Sequence, residues 1–268
     1  MLGPRTLGLV ALGLATLACV GPQQYMARGY ESPKPASEPV ATSGLISAHA
    51  ASYGQVGGPD DVLVLVFASE IDPLGLVPEA FGIVRADGQR VRPVEVRLGP
   101  ADEGDENRSV ILVGEFGEPQ AEPIAVHVIG SLFGEAGESF AGLDVEVSPS
   151  AAADRLLVIE RLGPDPSRCP GAQQVLRTYW SDALAGVAAS DLAAIELLLA
   201  DGSARAPIDF DDHAGREGEV GLGPADDNVL DLCIDVATPV VRLRIAAGQF
   251  TDAQGHATAA AEVALSAG

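Results

Sequence analysis

The run Phe81-Gly82-Ile83-Val84, the tripeptide Ala86-Asp87-Gly88 and the run Val91-Arg92-Pro93-Val94 together decide the fold. Asp-Gly between two apolar runs is a strong short-range signal for a β-hairpin, because glycine accepts the positive φ that a tight turn needs. The same tripeptide returns as Ala200-Asp201-Gly202, after Ile195-Glu196-Leu197-Leu198-Leu199. Two hairpin turns in matching surroundings imply that the chain holds two copies of one β unit.

Working outward from the turns, the two copies can be laid on each other. Leu45-Ile46-Ser47-Ala48 matches Leu156-Leu157-Val158-Ile159, and Val62 to Phe67 matches Val175 to Trp180. Phe67 and Trp180 fall at equivalent places and are expected in the two cores. Gly99-Pro100-Ala101-Asp102 recurs as Gly223-Pro224-Ala225-Asp226. Downstream, Val110 to Val113 pairs with Leu230 to Ile234, Ile124 to Val128 with Val240 to Ile245, and Leu143 to Val147 with Ala261 to Leu265. About seven short strands per copy, separated by turn signals, is the pattern of a β-sandwich. The Ala- and Leu-rich stretch Leu184 to Ile195 favours helix by propensity. Its counterpart holds Gly75, Pro78 and Gly82, so the expectation is a single helical turn near Ser190 to Ala193, followed by a strand.

The order of these motifs carries a resemblance. A strand ends in an aromatic, a later strand ends in Ala-Asp-Gly, and Asp252-Ala253-Gln254-Gly255 precedes the last strand; the first copy has Glu135-Ala136-Gly137 there. This resembles the bacterial Ig-like domains found in tandem in S-layer and other surface proteins. The resemblance implies an all-β chain of two tandem immunoglobulin-like β-sandwiches, at residues 44–149 and 154–268. It also implies spacer, adhesion or accessory roles in the cell envelope.

The N-terminus reads as an address. Arg5 precedes the apolar run Leu7 to Leu17, which is too short for a membrane span of ~20 residues. Thr16-Leu17-Ala18-Cys19 resembles the lipobox of bacterial lipoproteins, although that family prefers Leu where Thr16 stands. The resemblance implies a lipoprotein signal peptide at residues 1–18 and a diacylated, N-acylated (palmitate-bearing) Cys19. Ordinary signal cleavage after Ala18 is the alternative. Val20 after the cysteine implies, by the same resemblance, an outer-membrane lipoprotein facing the periplasm or the cell surface. Two or more acyl chains give a stable anchor, at ~0.8 kcal/mol per buried CH₂. Residues 19–43, rich in Pro, Ser, Glu and Gln, cannot bury enough apolar area to fold and are expected to form a disordered tether.

Composition bounds the chemistry. Asp and Glu number 38 against 16 Lys and Arg, giving a net charge of −22. Such a chain is repelled by nucleic acid, so no nucleic-acid partner is expected. The acidic loops supply oxygen ligands of the kind calcium takes, with Asp102, Asp105, Asp226 and Asp227 as candidates. Without EF-hand spacing they read first as solvated loops, so no cofactor is expected unless calcium binds there. With Cys19 lipidated, Cys169 and Cys233 form an even pair in an oxidising compartment, and a disulfide is expected. Cys233 alternates with Asp231 and Asp235, so the bridge would strap a loop over a sheet's outer face. The histidines His49, His127, His213 and His256 are scattered, and no zinc motif of the usual spacing is present. His127, between Val126 and Val128, should face outward. Val62, Val64 and Val66 make the outer face of their strand apolar, a face that needs a neighbouring domain, a loop or a partner to cover it.

No nucleophile elbow, phosphate loop or zinc-protease helix occurs, so no catalytic residue is assigned and the chain is not expected to be an enzyme. The leading expectation is a lipid-anchored envelope protein acting as a non-enzymatic structural or protein-binding module. Its partners would be the membrane, through lipid on Cys19, and an envelope protein or glycan. A calcium- or glycan-binding adhesion module is the alternative, and a hydrolase accessory or catalytic domain using Asp211, Asp212 and His213 is a third.

Overall fold

The structure is a computed structural model that describes residues 44–51, 61–101, 106–117, 121–211 and 227–265. These residues form an all-β protein. The first half contains β1 (Leu45–Ala50), β2 (Asp61–Phe67), β3 (Phe81–Arg85), β4 (Arg90–Val91), β5 (Glu95–Leu98), β6 (Ser109–Gly114), β7 (Pro123–Val128) and β8 (Asp144–Ser148). The second contains β9 (Leu156–Leu162), β10 (Gln174–Leu184), β11 (Ile195–Leu199), β12 (Ala204–Arg205), β13 (Asp209–Asp211), β14 (Asp227–Ile234), β15 (Val240–Ile245) and β16 (Ala261–Ala264).

The halves correspond strand for strand. The second half has sheets ordered β13-β14-β10-β9 and β12-β11-β15-β16; the first has β5-β6-β2-β1 and β4-β3-β7-β8. They differ at one edge. In the first half, β8 pairs in parallel with β1 through Ala48↔Val147 and His49↔Ser148, which joins the two layers. Four strands in the order first-second-sixth-fifth, facing four in the order fourth-third-seventh-eighth, is an arrangement shared with immunoglobulin-type sandwiches.

Both Asp-Gly turns sit where the sequence puts them and have the same geometry. Gly88 has φ +81° and Gly202 has φ +85°. The Gly88 N–H donates to Arg85 O and the Gly202 N–H to Leu199 O, each at 2.9 Å. Asp87 Oδ1 accepts from the Gln89 N–H, and Asp201 Oδ1 from the Ser203 N–H. A side chain that bonds its own backbone two residues on is why aspartate recurs in such turns.

Alternation fills each sandwich. In the first, Phe67, Phe81, Phe116, Phe140, Leu63 and Leu65 pack between the sheets, with the Phe67 and Phe140 rings 5.0 Å apart. In the second, Trp180 meets Phe250 edge-on at 5.5 Å, among Leu176, Leu197, Leu232 and Leu243. Phe67 and Trp180 are both fully buried, as expected. Each described half has eight strands where about seven were expected, because Glu95–Leu98 and Asp209–Asp211 pair with β6 and β14. The run after Gly88 gives only Arg90–Val91, since Pro93 has no N–H for a ladder. The helical turn in the Ala-rich stretch forms at Asp191–Ala194, with Leu192 buried, and β11 begins at the next residue. β10 runs past Trp180 to Leu184, because the Ser181 N–H donates to Arg155 O and keeps the strand paired.

Candidate functional site at the seam between the sandwiches

The apolar outer face of β2 is covered from within the chain. Val64 and Val66 are fully buried against Val158, Tyr179 and Val229 of the second half, with Val62, Ala51 and Ala101 beside them. The outer faces of two sheets, one from each half, are therefore pressed together. Burying a side chain of this size stabilises by roughly 1.5–3 kcal/mol. β10 lies between its own core and this seam, and all of its residues are buried.

A set of buried charges continues the seam. Glu106 and Arg108 precede β6 and are held by the end of β2 and the turn beyond it: Phe67 N–H donates to Arg108 O, and Ile71 N–H to Asn107 O. Arg108 donates to Ala68 O and pairs with Glu160 on β9. Its guanidinium also lies 5.6 Å from the centre of the Tyr179 ring. Glu106 Oε1 receives Arg168 at 3.0 Å and Arg177 at 3.1 Å. Arg177 grips Asp231 with two bonds, Nε to Oδ1 at 2.9 Å and Nη2 to Oδ2 at 2.8 Å. Arg168 adds a third to Asp231 at 3.1 Å. Arg108, Arg168 and Arg177 thus meet Glu106, Glu160 and Asp231 among the described residues. Burial, then the Glu160 charge, pushes the Tyr179 phenol well above its ordinary range.

The disulfide places one of these arginines. Cys169 and Cys233 are bonded, and with Ala172, Val175 and Leu162 they form a small apolar cluster on the outer face of the β10–β14 sheet. The bridge holds the loop after β9 over that face, as the alternation around Cys233 implies, and Arg168 is its neighbour in the loop.

At another part of the seam three ionisable side chains converge. His49, on β1, stands opposite Val64 in register. Asp154 lies in the connection between the halves and Asp182 on β10. All three are buried, and their ligand-type atoms lie within 4.8 Å of one another. His49 Nε2 is 3.8 Å from Asp154 Oδ1 and has no hydrogen-bond partner. Asp154 Oδ1 accepts from Ser181 Oγ at 3.1 Å, while Asp154 Oδ2 is buried without a partner. Each unsatisfied buried group of this kind costs about 1–3 kcal/mol. Burial, with Arg155 adding, lowers the His49 pKa to about 4. Burial, with Asp182 adding, raises that of Asp154 to about 7. Nearby, Asp252 accepts from the Gln254 and His256 N–H groups, and its Oδ2 lies 2.7 Å from His256 Nδ1.

The candidates from sequence are distributed unevenly. Cys169 and Cys233 are joined. Cys19, Asp102, Asp105, Asp226, Asp212 and His213 lie outside the described residues. Asp227 begins β14, is buried, and its Oδ1 accepts from the Val229 N–H at 2.8 Å. Asp211 is in β13 rather than in a loop. His127 is half-buried between the buried Val126 and Val128, pointing outward as expected. The histidines, scattered in sequence, are not all scattered in space: His49 and His256 both approach Asp252 and Asp154. Neither this cluster nor the arginine network was assigned from sequence. The signal available was that His49 shares the covered face of Val64. A cleft of about 520 Å³ beside β2 is lined by Asp61, Glu122, Val62 and Ser150 among others, and Asp61 Oδ2 is occupied by the Phe116 and Gly117 N–H groups.

No family model matches the chain, and no curated protein does. Solved structures similar to it include the N-terminal part of the bacterial S-layer protein SbsC, at 10% identity and TM-score 0.29, covering 82% of this chain and 43% of that one. Residues 31–844 of the same S-layer protein match at 11% identity and TM-score 0.31, over 81% of this chain and 33% of that one. Its domains 1–6 match at 11% identity and TM-score 0.30, over 83% and 34%. The chain therefore spans less than half the length of each.

Proposed function

We propose that the protein is a lipid-anchored, non-enzymatic structural module of the cell envelope, built from two Ig-like sandwiches that act as one stiff body. The observation that carries this reading is the seam. An apolar face and ion pairs of Arg108, Arg168 and Arg177 with Glu106, Glu160 and Asp231 are buried between the halves. Misaligning the halves would strand buried charge, at a cost of several kcal/mol. Such a pairing suits a spacer or a platform that must hold a fixed shape. The Thr16-Leu17-Ala18-Cys19 motif supplies the anchor, and the Pro-rich segment after it the stand-off from the bilayer. The test is metabolic labelling with palmitate, together with membrane fractionation. Wild type should carry label and sediment with outer membranes, and Cys19→Ser should be unlabelled and released. A Cys19→Ser protein that keeps its label or its membrane association overturns the anchor.

A further inference from the structure

We infer that His49, Asp154 and Asp182 form a binding site for one divalent transition-metal ion of the zinc type, buried at the seam between the two sandwiches. The three residues come from three segments: β1, the connection between the halves, and β10. One imidazole nitrogen and two carboxylates are donors that zinc accepts. The imidazole turns the choice away from calcium and magnesium, which take oxygen.

Geometry and partners fit that use. Donors on a tetrahedral ion stand about 3.4 Å apart, given bonds of ~2.0–2.1 Å. Here one donor atom from each side chain lies within 4.8 Å of the others, so closure needs side-chain adjustment of about an ångström. Two polar atoms of these side chains are buried and unpartnered: His49 Nε2, in a side chain 1% exposed, and Asp154 Oδ2. Buried polar atoms are normally satisfied, and one cation between them would satisfy both. Asp154 is already oriented, because its Oδ1 accepts from Ser181 Oγ.

The surrounding charge is mixed: buried Asp252 adds a carboxylate but is paired with His256, and Arg155, whose side chain is exposed, acts against a cation. With all three donors buried, the site has the character of a structural clasp, joining β1 to the second half through the connection.

Equilibrium dialysis tests it on the intact, detergent-solubilised chain, prepared without a polyhistidine tag and stripped with chelator. Zinc should bind at one equivalent and raise the melting temperature, and calcium at the same concentration should not replace it. His49→Gln, Asp154→Asn and Asp182→Asn should each weaken zinc binding by about tenfold or more. Absence of binding, or binding unchanged by Asp182→Asn, overturns the site. If a variant does not fold, zinc-edge anomalous diffraction from the wild type decides. A peak among the three side chains supports the site, and a peak elsewhere or none refutes it.

Discussion

Replacing Arg177 with methionine strikes the seam at its most connected point. Arg177 is 1% exposed, bonds Asp231 twice and reaches Glu106 of the other half. Methionine keeps the apolar stem and removes the charge. Asp231 and Glu106 are then left with Arg168 as the arginine they share. Breaking a buried pair by removing one partner costs about 3–5 kcal/mol, because it leaves charge buried without compensation. For a domain pair of this size that lowers the melting temperature on the order of 10 °C. Urea unfolding should show the loss in the midpoint with an unchanged slope. A double-mutant cycle with Glu106→Gln should give a coupling of about 1–3 kcal/mol across the halves. A loss under about 0.5 kcal/mol with no coupling is what a solvated surface pair gives, and would refute the buried seam.

Reduction of Cys169–Cys233, whose partners are 64 residues apart, should cost about 4 kcal/mol by the chain-entropy relation, read from urea unfolding with and without reductant. Gly88→Ala and Gly202→Ala should each destabilise by roughly 1–2 kcal/mol, since both glycines have positive φ while no neighbouring atom crowds a new methyl group. Equal losses in the melting curves would support the equivalence of the two turns. Burial, then Glu160 and Glu135, raises the Glu70 pKa from 4.5 to about 7. The folded state then binds the extra proton between these values, so this contribution to stability is full below about pH 4.5 and is lost as pH rises through 7. Glu70→Gln should flatten that part of the stability–pH curve, which thermal melting across pH 4–8 checks.

The parts of the fold legible in sequence are those governed by local rules. The Asp-Gly turns, the alternating strands and the aromatic core positions Phe67 and Trp180 are all set by spacing and turn chemistry. β5 and β13 were missed because Glu95-Val96-Arg97-Leu98 and Asp209-Phe210-Asp211 are short and mostly polar, and pairing with β6 and β14 is what makes them strands. The apolar outer face of β2 announced a cover, and alternation around Cys233 announced a strap over the sheet. The identity of that cover depended on contacts between residues about a hundred positions apart, such as Val64 and Tyr179. The His49, Asp154 and Asp182 cluster was illegible for the same reason, since no motif spacing links residues drawn together only when the halves dock.

The two sandwiches are locked through their outer faces. Residual dipolar couplings measured on backbone amides of both halves test it directly. A locked seam predicts that couplings from the described residues of both halves fit one alignment tensor. Two tensors of different magnitude would show the halves moving independently and would contradict it.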